Sequence, residues 1–230
     1  MKYKHIFFDL DHTLWDYDRN AAESLTELFH EHGLDRLIND GPQKFIDAFF
    51  GVNFDLWDLY NHHQIQRKDI RERRFPTIFK RLGLEHSDMP ENIEMEYVAL
   101  CPTKTNVFPN ALEVLEYLKP KYKMHIITNG FNGIQESKLT ASGMRDFFDV
   151  IITSESANQR KPNPDIFYLA MDNSGASVED SIMIGDNLAS DIQGAKNVGM
   201  DHVWFNPNRT FTSVKVQHEI ENLIELKSLL

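Results

Sequence analysis

The chain of 230 residues contains a single cysteine, Cys101. That excludes an internal disulfide and a multi-cysteine zinc site, and it fits a reducing compartment. Positive charge is also scarce: 24 Lys and Arg stand against 35 Asp and Glu, a formal net charge of −11. A general binder of nucleic-acid polymers or of anionic membrane surfaces is not expected, because phosphate backbones would be repelled. A small phosphate held by a local cation remains compatible with that balance. No apolar run approaches the roughly 18 residues needed to cross a bilayer. Met1-Lys2-Tyr3-Lys4 leads toward Asp9 too soon for a signal peptide, so the cytoplasm is the expected location. Internal repeats, low-complexity tracts and coiled-coil heptads are missing as well. What is present is a 41% apolar share, enough for a packed interior. The length suits one large domain, or a core with a smaller insert.

The first distinctive stretch is His5-Ile6-Phe7-Phe8-Asp9-Leu10-Asp11-His12-Thr13. A short apolar run ending in polar residues predicts a buried strand that surfaces at its carboxyl end, where ligands gather in an open parallel sheet. Positions i and i+2 of a strand face one side, so Asp9 and Asp11 are expected to point into one crevice. Two carboxylates held that close repel unless a cation or a shared proton offsets them. The plainer alternative is an acidic turn in which Asp11 or Thr13 caps the next helix.

From residue 16 to 102 the apolar spacing is helical throughout. Ala22, Leu25, Leu28 and Phe29 form one stripe, and Phe45, Phe49, Val52, Leu56 and Leu59 a second. Phe75, Ile78, Phe79 and Leu82 form a third, with Pro76 expected in its first turn, and Ile93, Tyr97 and Leu100 a fourth. Beyond Pro109 strands are predicted at 124–127, 150–152, 182–184 and 202–205, with helices near 110–119, 133–142, 164–174 and 190–198. The pattern predicts an α/β fold: a doubly wound, Rossmann-like parallel sheet built from 1–15 and 103–230, with an all-helical cap domain, 16–102, inserted after strand one.

Polar residues follow the first three of these strands. They are Thr128-Asn129-Gly130, then Thr153-Ser154-Glu155 leading on to Lys161-Pro162-Asn163-Pro164, and Gly185-Asp186 through Asp191. Thr128 offers a hydroxyl to an anionic oxygen, Gly130 a backbone free to turn, and Lys161 a fixed cation. Asn163 and Pro164 make an N-cap and first-position pair for the following helix. Each group alone is ordinary turn chemistry. All of them at one sheet edge are much harder to obtain that way.

In this order the residues resemble the haloacid dehalogenase-like hydrolase superfamily. Asp9-Leu10-Asp11-His12-Thr13 matches its first motif, Thr128 its second, Lys161 its third, and Gly185-Asp186 through Asp191 its fourth. The forms "FFDLDHTLWD" and "TNG" are most similar to the pyrimidine 5′-nucleotidase-like branch. The resemblance implies a magnesium-dependent phosphomonoesterase in which Asp9 attacks phosphorus and forms an aspartyl-phosphate. It implies that Asp11 protonates the leaving oxygen and then activates water. Thr128 and the Asn129 amide, with Gly130 beside them, would bind phosphate oxygens, and Lys161 would complete the charge balance. The implied magnesium ligands are the Asp9 and Asp186 carboxylates and the Asp11 backbone carbonyl, with Asp191 holding a water or Lys161. Dehalogenases of the superfamily attack carbon without a metal and generally lack an acid at the place of Asp11, so a phosphatase is favoured.

The expected partner is a small phosphorylated metabolite: a nucleoside 5′-monophosphate, pyrimidines first. The alternatives are a sugar-phosphate phosphatase or phosphomutase, a non-catalytic binding module, and a metal-free dehalogenase. A monomer or weak homodimer is expected. Aromatics are frequent in and around the cap: Trp15, Tyr17, Phe49, Phe50, Trp57 and Tyr60. Phe45, Phe49 and Leu56 read as cap core, whereas Phe50 and Trp57 lie off that stripe and are candidates for substrate contact. His62-His63 read as surface. Arg71, Arg73 and Arg74 read as a solvated face, with a clamp on a distal phosphate as the alternative, and Cys101 as a packed thiol.

Overall fold

A computed structural model describes residues 2–230 of the chain. Two compact units emerge: one runs up to Tyr17 and resumes at Thr105, and the other is Asp18–Lys104.

The second unit is built on four helices: α1 (Tyr17–Glu31, all but its first residue), α2 (Pro42–Asn61), α3 (Arg67–Arg81) and α4 (Ile93–Leu100). On α2 the residues Phe45, Phe49, Val52 and Leu56 recur at helical spacing and are all buried. Phe45 packs against Phe29 of α1 and against Phe75 and Phe79 of α3. α3 starts earlier than the spacing of its apolar residues predicts, so Pro76 lies well inside it rather than in its first turn. The reason is a reciprocal cap: the Gln66 amide donates to Asp69 Oδ2 at 2.7 Å, and the Gln66 side chain accepts from the Asp69 amide. His62 and His63 are exposed, as read from the sequence, and Cys101 is buried.

Arg74 departs from the expected solvated face. It is buried, donating to Glu94 Oε1 at 2.6 Å, to Glu94 Oε2 at 3.0 Å and to Asn53 Oδ1 at 3.1 Å. Its guanidinium also lies 4.8 Å from the centre of the Tyr97 ring and 5.5 Å from that of Phe49. Helical spacing put this arginine on the buried face of α3, and its charge is consumed there.

The α/β unit comprises β1 (His5–Phe8), α5 (Ala111–Leu118), β2 (Lys123–Thr128), α6 (Asn132–Ala141), β3 (Val150–Thr153), the short α7 (Ser154–Ala157), α8 (Pro164–Ser174), β4 (Ser181–Gly185), α9 (Gln193–Val198), β5 (Asp201–Phe205) and β6 (His218–Ile220). The strands form a six-stranded sheet in the order β3-β2-β1-β4-β5-β6, and every pairing is parallel. β1 is central and buried throughout, with Phe8 opposite both Ile126 and Ile184. Buried on both faces, such a strand reads as a continuous apolar run. One face rests on α8 and α9 through Phe7, Ile127, Phe167, Met183 and Ala195. α8 begins as predicted, with Asn163 accepting from the Asp165 amide at 2.9 Å and Pro164 in the first position.

Two elements differ from expectation. β6 was not predicted, because three residues with a single fully buried side chain carry no run to detect. The helix predicted near 190–198 is broken into a turn of π-helix, Leu188–Ile192, followed by α9. The strand order reverses direction between β1 and β4, so the polar residues at their carboxyl ends face the crevice where ligands bind in open α/β sheets. Among the described residues no helix is long and apolar enough to cross a membrane.

Candidate active site

The site starts where β1 leaves the sheet. The Asp9 amide still donates to Ile184 O of β4 at 2.9 Å, which anchors Asp9 at the strand edge. His12 then adopts a left-handed backbone, φ 63°, and turns the chain. The Leu14 and Trp15 amides donate to Leu10 O at 3.0 and 2.9 Å, closing the loop and fixing Asp11 and Thr13 within it. Neither residue caps a helix, since α1 begins only at Tyr17.

Carboxylate oxygens of Asp9, Asp186 and Asp191 lie within 4.8 Å of one another. Lys161 reaches into this group from the loop before α8. Its ammonium donates to Asp9 Oδ1 at 2.5 Å and to Ile127 O at 2.6 Å, and it pairs with Asp191 Oδ1 at 2.7 Å. An ammonium has three protons, so all three are committed. The loop is tied down by the Asn129 side chain, whose Nδ2 donates to Lys161 O at 3.1 Å while its Oδ1 accepts from the Lys161 amide at 2.7 Å. The Lys161–Pro162 bond is cis.

Asp186 follows β4 and is oriented by Thr13. The Thr13 hydroxyl donates to Asp186 Oδ1 at 3.2 Å and accepts from the Asp186 amide at 3.1 Å. Trp204 of β5 donates to Asp186 O at 2.7 Å. Asp191 arrives on the π-helical turn, and its Oδ2 accepts from the Asn187 amide at 3.0 Å. Gly185 makes that approach possible, because a Cβ there would stand 2.3 Å from Asp191 Oδ2.

Burial and charge set the protonation of the cluster. Burial is the largest influence on Asp9 and, reinforced by Asp191 and Asp186, pushes its carboxyl well up although Lys161 opposes it. Burial, with Asp191 next, pushes Asp186 up to about 7 against Lys161 and the Thr13 bond. Lys161 is raised: burial works against its charge, but Asp191 and Asp9 outweigh it. With all three acids ionised, one ammonium would leave the cluster a charge of −2. Hard oxygen donors with that excess fit a divalent cation such as magnesium.

Thr128 is buried at the end of β2. Its oxygen accepts from the Gly130 amide at 3.0 Å and from Gln135 Nε2 at 2.7 Å. A hydroxyl has two lone pairs and one proton, so Thr128 is left as a donor. Gly130 has an ordinary φ, so the freedom to turn expected of it is not what the site uses. A Cβ there would instead collide with Gln135 Nε2, at 2.1 Å.

Asp11 does not join the carboxylate cluster. Its Oδ1 accepts from Lys138 Nζ at 2.6 Å and its Oδ2 from Gln135 Nε2 at 3.0 Å, both from α6. Burial acts to raise the Asp11 carboxyl, but Lys138 and then Gln135 outweigh it and hold it below its ordinary range. The two acids therefore do not share one offsetting cation, because each has its own lysine. β1 ends at Phe8 and the chain is already turning at Asp11, so its carboxylate reaches α6 instead of the cluster around Lys161.

Phe50 and Trp57 belong to the helical unit and are half-buried. Phe50 meets Phe49 edge-on, with centroids 5.9 Å apart, and Trp57 meets Tyr60 at 5.4 Å. Trp15 and Tyr17 fall in the α/β unit instead. Lys138 and Gln135 were not singled out from the sequence. Their signal was present: Gln135, Lys138, Leu139 and Ser142 form the buried stripe of α6 and its end, and three of those four are polar.

Pyrimidine 5′-nucleotidase YjjG of Escherichia coli is 31% identical over 234 residues, covering 97% of this chain and 99% of that one. The glyceraldehyde 3-phosphate phosphatase of Pyrococcus furiosus is 32% identical over 206 residues, covering 88% and 80%. The crystal structure of YfnB from Bacillus subtilis, bound to magnesium, matches with a TM-score of 0.87 at 25% identity, covering 100% of this chain and 99% of that one. The haloacid dehalogenase-like hydrolase family itself matches residues 6–205, a stretch that includes every carboxylate and lysine of the site. With both the sequence and the sheet-edge geometry in agreement, the chain belongs to the haloacid dehalogenase-like hydrolases.

Proposed function

We propose that this hydrolase is a magnesium-dependent phosphomonoesterase acting through an aspartyl-phosphate on Asp9, with nucleoside 5′-monophosphates, pyrimidines first, as substrates. It is a phosphatase, as its relatives are. The observation that carries the reading is the separation of the two acids. Asp9 sits in an anionic cluster suited to a metal, and Asp11 sits two residues on with its own lysine. Each carboxyl is held by its own partners and placed for its own role, and a divalent cation in the cluster would draw Asp9 to its ionised, nucleophilic form.

Asp9 attacks phosphorus, and the ester oxygen leaves with a proton from Asp11. Asp11 then takes a proton from the water that attacks the aspartyl-phosphate, which releases inorganic phosphate and restores Asp9. Thr128, held as a donor, and the Asn129 amide bind phosphate oxygens beside Gly130. Lys161 keeps Asp9 in place and offsets charge. Asp9 and Asp186, the Asp11 backbone carbonyl and Asp191, directly or through a water, are the groups that would hold magnesium. When bound, the ion supplies charge neutralisation between carboxylate and phosphate.

The nucleotide reading draws its support from the aromatic residues of the helical unit and from the nucleotidase relatives. The half-buried rings of Phe50 and Trp57 offer stacking faces, and a base stacked on such a ring gains about 1–3 kcal/mol. Purified protein should be assayed against uridine and thymidine 5′-monophosphates, glyceraldehyde 3-phosphate and glucose 6-phosphate, with magnesium or with excess chelator. The expected kcat/KM for the nucleotides is about tenfold or more above either sugar phosphate, equivalent to about 1.4 kcal/mol, and turnover stops in chelator. Replacing Phe50 or Trp57 by alanine should raise KM for the nucleotide more than for a small aryl phosphate. Equal efficiency on the sugar phosphates would remove the nucleotide preference, and full activity in chelator would remove the metal.

A further inference from the structure

We infer that Lys138 is a positioning residue for Asp11: from α6 it holds the carboxylate in the orientation from which it gives and takes protons. The inference rests on the reading of Asp11 as proton donor and acceptor given above.

Both oxygens of Asp11 are held, one by Lys138 at 2.6 Å and the other by Gln135 at 3.0 Å. Two donors on two oxygens fix the carboxylate plane as well as its place. Gln135 and Lys138 are three residues apart on one helix, so they project from the same face. The same helix also supports Thr128 through Gln135, so the phosphate-binding hydroxyl and the proton-transferring acid are set from one rigid element.

Lys138 itself is only 5% exposed, and its ammonium lies 4.5 Å from the centre of the Trp15 ring and 5.6 Å from that of Tyr17. A cation over aromatic faces with a carboxylate on its remaining side has little freedom to reorient. A buried ammonium also requires a paired charge, and Asp11 supplies it. These constraints argue against Lys138 as a second phosphate cation, since its ammonium is engaged by Asp11 and the two ring faces. Misplacing a reacting group by about 1 Å can cost about 100-fold in rate, so even a modest release of Asp11 should be measurable.

The test uses the full-length, magnesium-saturated protein and two esters. An alkyl phosphate needs its leaving oxygen protonated, whereas the nitrophenolate of p-nitrophenyl phosphate departs without a proton. Both esters give the same aspartyl-phosphate, so its hydrolysis cancels from a comparison of kcat/KM values. Lys138→Met and Lys138→Gln should lower kcat/KM for the alkyl ester by about 30- to 100-fold, at least about tenfold more than for the aryl ester. Competitive inhibition by inorganic phosphate should stay within about twofold. Asp11→Asn serves as the reference and should show the same selective loss. If Asp11→Asn depresses both esters equally, the reading of Asp11 fails and the inference falls with it. If Asp11→Asn is selective while both lysine variants lower the two esters alike, weaken phosphate inhibition or change neither ester, only the role of Lys138 is overturned. Thermal unfolding monitored by circular dichroism identifies a variant that has lost its fold, and the other substitution then decides.

Discussion

In the helical unit Arg74 is buried against the two oxygens of Glu94, the Asn53 amide oxygen and the faces of Tyr97, Phe49 and Phe75. In the α/β unit Lys161 is buried against Asp9, Asp191 and the Ile127 carbonyl, with Asp186 alongside. In the first group one guanidinium meets both oxygens of one carboxylate, beside a side-chain amide and aromatic faces. The second sets three acids against one ammonium, and burial first, with the neighbouring acids adding to it, pushes the Asp9 and Asp186 carboxyls up. Burial raises Glu94 too, against Arg74 and then Arg71, so even the balanced pair does not fully recover the cost of leaving water. A buried charge that is matched in place serves the architecture, whereas a buried excess of one sign needs something from outside the chain.

The largest expected effect lies on the unbalanced side. Asp9→Asn should lower kcat by about 10⁴-fold or more, because an amide does not attack phosphorus. Without magnesium the same variant should unfold at an equal or higher temperature than the wild type, since one of the crowded charges is gone. Retained activity, measured as phosphate release, would break the assignment of Asp9, and a marked loss of apo stability would break the description of the cluster as strained by like charge.

On the balanced side the expected effect is on stability and not on chemistry. Arg74→Met leaves Glu94 without its partner and should cost about 3–5 kcal/mol of unfolding free energy by urea denaturation. The double variant Arg74→Met, Glu94→Leu should recover a large part of that loss, because no uncompensated charge remains. A single-variant cost below about 1 kcal/mol would mean that the pair is as dispensable as a surface bridge, and the contrast would collapse.

The smallest effect, and the one that sharpens the comparison most directly, is in the pH dependence of metal binding. Asp186, raised to about 7 in the folded protein, is protonated below that pH, and a divalent cation has to displace the proton. Affinity should therefore be lost as pH falls through about 7. Displacement of one proton weakens binding about tenfold per pH unit below that value. Calorimetric titration with magnesium at pH 8 and pH 6 should show about tenfold weaker binding at the lower pH. An affinity flat across that range would place the ion away from Asp186.

Much of this molecule was legible from local pattern. Four helical stripes, the central apolar strands and the Asn163–Pro164 helix start were all readable, because periodicity and capping are properties of a few neighbouring residues. Other features were not. The start of α3 depended on a Gln66–Asp69 cap that lies outside the apolar stripe, so Pro76 was misplaced. Arg74 is buried because Glu94, from another helix, comes to meet its charge, a partner that the local pattern does not contain. β6 was too short to be seen.

By itself the sequence determined which residues end each strand, and so which functional groups arrive at the carboxyl edge of the sheet. Asp9, Thr128 and Asp186 follow from that rule, because an apolar run and its polar exit are contiguous in the chain, whereas Lys161 and Asp191 arrive on the loop and turn that follow. Only the tertiary structure decided who partners whom. Lys138 meets Asp11 across 127 residues, and Thr13 meets Asp186 across 173. Both contacts exist because the parallel register sets β2 and β4 on either side of β1. Two acids that look equivalent two residues apart thus acquire different lysines and opposite shifts, since the electrostatics of a buried group depend on what packing brings within a few ångströms of it.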